Sequence, residues 1–286
     1  MVAQMDGLEN ELINEGVTDE PNSDYHADHS HVSSTMLKRF RQSPRIYEAH
    51  YVTKTMPEES KHCFDIGDGV HAFALEPDRF AEEFAISPEG IEDKRLKPWK
   101  EWAKEQDPNA TLLKHGDAMM IARCVESLRK IPIVNMFLDT DGLVEQSHRW
   151  LCTETHMDCK FRPDKIFPKQ RCVLDLKTTQ SLDDMRFSYD ARDYGYDLQQ
   201  VHYVDGASTL YGGDPADWMF LFAVVETKAP HRSRVYQLSD GDVIVATEDR
   251  IALLNEIRER QSINNWAEVD EHEIKTITLP ARKRSA

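Results

Sequence analysis

Eight consecutive residues, Trp218-Met219-Phe220-Leu221-Phe222-Ala223-Val224-Val225, carry no charge and show no alternation of apolar and polar positions. A strand of that kind is apolar on both faces and is stable only when layers cover both, which makes it the centre of a sheet sandwiched between helices. The rest of the chain supplies such layers. Met36, Leu37 and Phe40 recur at helical spacing behind the capping hydroxyls Ser33, Ser34 and Thr35, and that helix ends before Pro44. Residues 66–75 read as a short apolar helix closed by Glu76-Pro77, and residues 98–138 as two helices broken near Asp107-Pro108. Helices also fit 195–211 and 247–261. From Leu143 the period changes to two, giving a strand that continues past Trp150, and Val235–Leu238 supplies another. The fold class is α/β, a central mixed β-sheet flanked by helices.

With 286 residues the chain can bury a sizeable core, and no linker or repeat divides it. The expected organisation is an acidic mobile leader over 1–20, one domain over 21–280 and a basic tail over 281–286. No stretch approaches the roughly 20 apolar residues of a membrane span, and no secretory signal opens the chain, so a cytoplasmic protein with no membrane partner is expected. Five scattered cysteines, Cys63, Cys124, Cys152, Cys159 and Cys172, form no Cys-x-x-Cys pair, which fits reduced thiols and argues against structural zinc.

The 35 basic and 51 acidic residues leave a net charge of −16, which excludes a diffusely basic nucleic-acid binder. Half of that excess comes from Asp6, Glu9, Glu11, Glu15, Asp19, Glu20, Asp24 and Asp28, ahead of the first basic residue, Lys38. The first helix then carries Lys38, Arg39 and Arg41, followed by Arg45, and its capped start beside cations can hold a phosphate as readily as it can be a solvated face. Ser33, Ser34, Lys38 and Arg41 are the candidate phosphate ligands there.

Chemistry concentrates in residues 157–179. Two strands flank a turn centred on Lys169-Gln170, so antiparallel partners have numbers adding to 339; Asp164 then faces Asp175, and Arg162 faces Lys177. One face would carry Asp158, Lys160, Arg162, Asp164, Asp175 and Lys177, the other Met157, Cys159, Phe161, Cys172, Leu174 and Leu176. Opposed carboxylates about 5 Å apart repel by roughly 3 kcal/mol at an effective dielectric of 20, a penalty that a bound divalent cation reverses. Hard oxygen ligands suit Mg²⁺, with Mn²⁺ able to substitute, and Lys177 on the same face can orient an attacking water or stabilise a pentacovalent phosphorus. That chemistry is phosphodiester hydrolysis. Pro163 removes a ladder donor and implies an edge or bulge. His71 alone reads as a core histidine, and the stripe Tyr196, Gln199, Tyr203 alone as a packing face.

Taken in order, these pieces resemble the PD-(D/E)XK nuclease superfamily and, within it, the RecE type, the catalytic domain of exonuclease VIII. The residues that carry the resemblance are Tyr25-His26, Val32-Ser33-Ser34, Ser43-Pro44, Gly67-x-x-x-His71, Leu75-Glu76-Pro77, Glu145 with Trp150, and Lys160-x-Arg162-Pro163-Asp164. They continue with Asp175-Leu176-Lys177-Thr178-Thr179, Gly195-Tyr196-x-x-Gln199-x-x-x-Tyr203, Glu226 with Pro230-His231, and Leu279-Pro280. The resemblance implies a PD-(D/E)XK core in which His71, Asp164, Asp175 and the Leu176 carbonyl bind metal and Lys177 assists the attacking water. Gln199 and Tyr203 would shape the site from their helix, and Glu145 would help through a water or a basic neighbour. Arg162 and Thr178 join the expected DNA contacts. No cysteine follows Cys172, so no iron–sulfur cluster is expected, and no phosphate-binding loop for ATP is present.

The activity implied is a Mg²⁺-dependent, ATP-independent 5′–3′ exonuclease acting on double-stranded DNA ends, leaving 3′ single strands for a RecT-like annealing protein, from a homo-oligomeric ring. A structure-specific or restriction-like endonuclease and a non-catalytic DNA-end binding module are the alternatives. A metal site at His26, His29 and His31 is a further, weaker one.

Overall fold

The computed structural model describes residues 16–56, 66–268, 271 and 273–278. The expected leader up to residue 15, Cys63, Leu279-Pro280 and the tail over 281–286 lie outside the described residues.

The chain begins with β1 (Val17–Thr18) and α1 (Asn22–Ala27), then α2 (Ser34–Gln42), α3 (Pro44–Tyr47) and a π-helical turn, Glu48–Val52. Ser33 Oγ accepts from Met36 N and starts α2. Ser43 ends α2 and caps α3, with Pro44 in its first turn, where a missing N–H costs nothing. Next come α4 (Ile66–Leu75), α5 (Pro77–Glu83), β2 (Phe84–Ile86), α6 (Lys97–Lys104), β3 (Thr111–Leu113), α7 (His115–Arg129) and α8 (Pro132–Asp139). Residues 98–138 therefore hold three helices and a strand rather than two helices. Pro132 cannot continue α7, and Thr111–Leu113 pairs in parallel with Phe84–Ile86.

The strands that follow are β4 (Leu143–Val144), β5 (Ser147–Leu151), β6 (Asp158–Phe161), β7 (Lys165–Phe167) and β8 (Cys172–Thr179). After α9 (Asp184–Asp193) and α10 (Tyr196–Tyr211) come β9 (Met219–Glu226), β10 (Ser233–Tyr236) and α11 (Asp240–Ile263), the last longer than its apolar pattern predicts. The main sheet is mixed, ordered β10-β9-β8-β7-β4, with β8 and β9 parallel; β1, β5 and β6 form a second sheet.

The apolar run is central, as its two-faced composition requires. Phe220, Phe222 and Val224 join a core with α2, α10 and α11, while Leu221, Ala223 and Val225 join another with α4, α7 and α8. β8 follows the same rule: Val173 lies in the first core and Cys172, Leu174 and Leu176 in the second. The first core continues onto the second sheet through Trp150, Cys159 and Phe161.

The predicted hairpin register holds, since Lys165 pairs with Leu174, Ile166 with Val173 and Phe167 with Cys172, numbers that add to 339. Its outer half is corrected. The strand predicted over 157–167 breaks at Arg162-Pro163-Asp164, and β6 belongs to the other sheet, so Arg162 has no ladder partner in β8. Lys160 does not stand on a site face either; it is buried, its ammonium bonded to the carbonyls of Tyr25 and Asp28. The strand expected from 143 past 150 is likewise two strands in two sheets. Of the predicted leader, Val17 and Thr18 pair with His148 and Ser147, and Glu20 meets Arg149, so these residues are held in the domain.

Candidate active site

The two breaks are one crease in a single antiparallel ribbon. Leu143 pairs with Ile166 and Val144 with Lys165 on one side, His148 with Phe161 on the other, and the numbers add to 309 throughout. At the crease Glu145 takes φ 49° and its N–H donates to the Asp164 carbonyl at 3.2 Å. Pro163, with no N–H to pair, is compatible with the interruption. The crease releases the carboxylates of Glu145 and Asp164 from the alternation of a flat ladder.

Asp164 immediately precedes the Lys165–Leu174 pair, so it comes alongside the next turn of β8. There the Leu176 N–H donates to Asp164 Oδ2 at 2.6 Å. From α4, His71 places Nε2 2.9 Å from the Leu176 carbonyl and Nδ1 3.5 Å from Asp164 Oδ2. One ligand atom from each of His71, Glu145 and Asp164 can be chosen so that all lie within 4.8 Å of one another.

Asp175 and Lys177 project from the other face of β8. Asp175 is fully buried; Gln199 Nε2 donates to its Oδ1 at 2.7 Å, and Lys177 Nζ stands 2.6 Å from its Oδ2. Lys177 Nζ also lies 4.9 Å over the Tyr196 ring, and Tyr203 donates its hydroxyl to the Arg162 carbonyl at 3.1 Å. The stripe of Tyr196, Gln199 and Tyr203 is thus one helix face turned toward the hairpin, packing and supplying polar contacts at once.

Burial pushes the Glu145 carboxyl up to about 7, with the charge of Asp164 adding and His71 and Arg162 opposing. Burial likewise pushes Asp175 up to about 6 against the pull of Lys177. Burial works to lower Lys177, but Asp175 and Asp164 outweigh it and the amine is held above its ordinary value. Lys38 moves the other way, down to about 8, through burial and then the nearby charge of Lys177. Among the described residues Lys38 has no hydrogen bond or ion pair.

The other predicted phosphate ligands are differently placed. Ser33 and Ser34 are buried at the start of α2, Ser33 as its cap. Arg41 pairs with Asp197 at 3.0 Å. Arg162 is spent inside the fold, on Glu145 at 3.3 Å, Ser147 Oγ at 3.1 Å and the Glu20 carbonyl at 2.9 Å. Thr178 lines a cavity of about 830 Å³ beyond Lys177. The structure therefore gathers His71, Glu145, Asp164, Asp175, Leu176, Lys177, Gln199 and Tyr203, with Lys38 at the margin. His31 instead bonds Asp28 at 2.9 Å, and among the described residues the imidazoles of His26, His29 and His31 belong to no group of three or more ligand side chains.

Sequence reasoning gave Glu145 only an indirect part and gave no role to the Tyr196 ring beneath Lys177. The signal for Glu145 was available: aligning 143–151 against 157–167 as a hairpin sets it opposite Asp164. A second cluster, Cys152, Glu154 and Asp205, already holds a cation. The Arg250 guanidinium is buried against Asp205 and 3.3 Å from Cys152 Sγ, and Trp150 Nε1 donates to Asp205 at 2.9 Å.

A mixed sheet whose hairpin sets Pro163-Asp164 beside Asp175-Leu176-Lys177 defines the PD-(D/E)XK class. Within it, the model of the PDDEXK-like domain of unknown function (DUF3799) matches residues 33–271, and the chain belongs to that family. The crystal structure of a "Putative exonuclease" from Eubacterium rectale superposes with a TM-score of 0.58 at 13% identity, covering 93% of this chain and 97% of that one, a likeness of fold. No curated protein matches the chain.

Proposed function

We propose that this protein is a divalent-metal-dependent, ATP-independent 5′–3′ exodeoxyribonuclease of the RecE type. It would act on linear duplex DNA and leave 3′ single-stranded tails for a RecT-like annealing protein, working as a homo-oligomeric ring in the cytoplasm. The observation that carries the reading is the convergence at one residue, Leu176, whose N–H meets Asp164 and whose carbonyl meets His71, between the ion-paired Asp175 and Lys177.

The donor set fits a hard divalent cation. His71 Nε2 and the Leu176 carbonyl oxygen are 2.9 Å apart, close enough for both to serve as donors to one ion. Carboxylates supply the remaining donors, and no thiolate belongs to the group. His71, Asp164, Asp175 and the Leu176 carbonyl would hold the ion, with Glu145 near enough to contribute. When bound, Mg²⁺ or Mn²⁺ supplies the positive charge that acidifies an attacking water and balances the phosphoryl oxygens.

The chain's own residues do the rest. Gln199 fixes the rotamer of Asp175 from α10. Lys177 remains an ammonium at neutral pH, held by Asp175 and seated on the Tyr196 ring, and so acts as a donor to the water or to charge developing on the phosphate rather than as a base. Lys38, unpaired among the described residues and within reach of the charge on Lys177, would meet the phosphate of an entering strand.

Incubation with 5′-phosphorylated linear duplex and with closed circular DNA, each in Mg²⁺, tests this. Degradation of the linear form alone, without ATP, is expected. Cutting of the circle converts the reading to an endonuclease, and binding of ends without cleavage in Mg²⁺ or Mn²⁺ converts it to a non-catalytic module.

A further inference from the structure

Tyr194 closes α9 with its side chain turned to solvent, 61% exposed, where a large aromatic ring gains nothing from the core. It is the outer member of a column of rings. Tyr194 and Tyr196 stack with centroids 6.0 Å apart and planes 30° apart; Tyr196 stacks in turn on the buried Phe222 at 5.6 Å and 24°. The middle ring is the one that carries Lys177. Steps of 4.9 Å and 6.0 Å put the Tyr194 ring at most 10.9 Å from Lys177 Nζ.

The outer ring also borders open space. Tyr194 and Tyr196 line the cavity of about 830 Å³, as do Thr178, Gln180, Ser181 and Lys228. Its volume exceeds what one nucleotide needs, and its lining combines an aromatic face with hydroxyl, amide and ammonium groups. Of the described residues, Tyr194 borders this cavity and also the one of about 1020 Å³ that contains Lys38 and Arg41.

We infer that Tyr194 is a stacking platform for the unpaired nucleobase next to the scissile phosphate, and that the cavity beside Lys177 is the pocket which receives that nucleotide. The inference rests on the nuclease reading and adds a specificity-determining residue to it. A nucleotide rises about 3.4 Å along a stacked strand and roughly twice that when extended, so one or two nucleotides span the distance from Lys177 to the ring. Stacking is indifferent to base identity, since every base has a π face, and suits a site that must accept successive nucleotides of any sequence. A base in the cavity must leave its pair, so frayed ends should enter more easily than blunt G·C ends.

The test uses the full chain, Ca²⁺ in place of Mg²⁺, and a 5′-phosphorylated duplex whose terminal base is 2-aminopurine. Binding should quench the probe. Tyr194→Ala should abolish the quench and weaken binding on the order of tenfold, whereas Tyr194→Phe and Tyr194→Trp retain both. In Mg²⁺, Tyr194→Ala should raise KM for blunt G·C ends more than for frayed ends with kcat little changed. Equal quenching by wild type and Tyr194→Ala, or a changed oligomeric mass with unchanged DNA affinity, overturns the inference and makes the ring an interface residue. The two readings separate cleanly: cleavage without a quench sinks the platform alone, a Tyr194-dependent quench without cleavage sinks the hydrolase alone, and neither signal sinks both.

Discussion

Gln199 Nε2 donates to Oδ1 of Asp175 across 2.7 Å, so an amide on α10 fixes a carboxylate that has no access to solvent. A buried carboxylate oxygen deprived of its donor costs about 1–3 kcal/mol. Gln199→Leu should therefore destabilise the protein by roughly that amount in urea unfolding. It should also weaken Mn²⁺ binding, measured by titration calorimetry, because Asp175 is free to turn away. Gln199→Glu should be worse, since it sets a second acid against the first.

Lys177 gives a sharper separation of chemistry from binding. Its ammonium meets Asp175 at 2.6 Å, whereas Lys38, the predicted phosphate contact left free of hydrogen bonds and ion pairs among the described residues, is a separate side chain on α2. Lys177→Ala should reduce the rate of linear-duplex digestion by about 10²-fold or more while end binding in Ca²⁺ is retained. Lys177→Arg should not restore it, because the delocalised, bulkier guanidinium replaces the compact point charge that the ammonium presents to the water or phosphate.

The register of the β7–β8 hairpin, the central strand and the α10 stripe were legible because each depends on local periodicity. Counting from the turn brings Asp164 level with Asp175, but the ladder ends at Lys165–Leu174 and the Asp164 carboxylate meets the Leu176 N–H instead of facing Asp175 as a ladder pair. What could not be counted was the crease: strict alternation through 157–167 puts Lys160 on the site face, whereas the break at Arg162-Pro163-Asp164 sends it to the carbonyls of Tyr25 and Asp28. Alternation predicts side-chain direction only while the strand remains in one sheet. Arg162 shows the same limit, because its partners Glu20, Glu145 and Ser147 come from segments that only the second sheet brings together. Pro163 signals an edge or bulge, and its consequence, a ribbon shared by two sheets, is a tertiary fact.

Glu145 predicts a pH dependence. Its carboxyl titrates near 7 in the folded chain, above its ordinary value of 4.5, because burial and Asp164 disfavour the anion. The folded chain thus holds this proton longer than the unfolded chain does, and the contribution to stability is present at acid pH and lost as pH rises from about 4.5 to about 7. Without divalent metal, the stability of wild type minus that of Glu145→Gln should fall across this window in urea unfolding at stepped pH. Saturating Mn²⁺ should flatten the fall, since a cation favours the anionic form. A difference that grows with pH in EDTA would remove Glu145 from the acidic cluster.

Gly195 joins the predicted phosphate ligand Lys38 to the reversal between α9 and α10. It sits at φ 66°, where an L side chain is strained, and a Cβ there would stand 2.5 Å from Lys38 Cδ and 2.6 Å from Lys38 Cγ, mid-chain atoms that cannot move without taking the ammonium along. Gly195→Ala should cost about 1–2 kcal/mol from the backbone alone and lower the melting temperature by a few degrees. It should also weaken binding to 5′-phosphorylated ends by displacing Lys38. Lys38→Ala, which leaves the turn intact, should reproduce the loss of affinity for the phosphorylated end without the full thermal penalty. The Gly195→Ala, Lys38→Ala double variant should then bind no worse than Lys38→Ala, because the glycine acts on the phosphate through that one side chain.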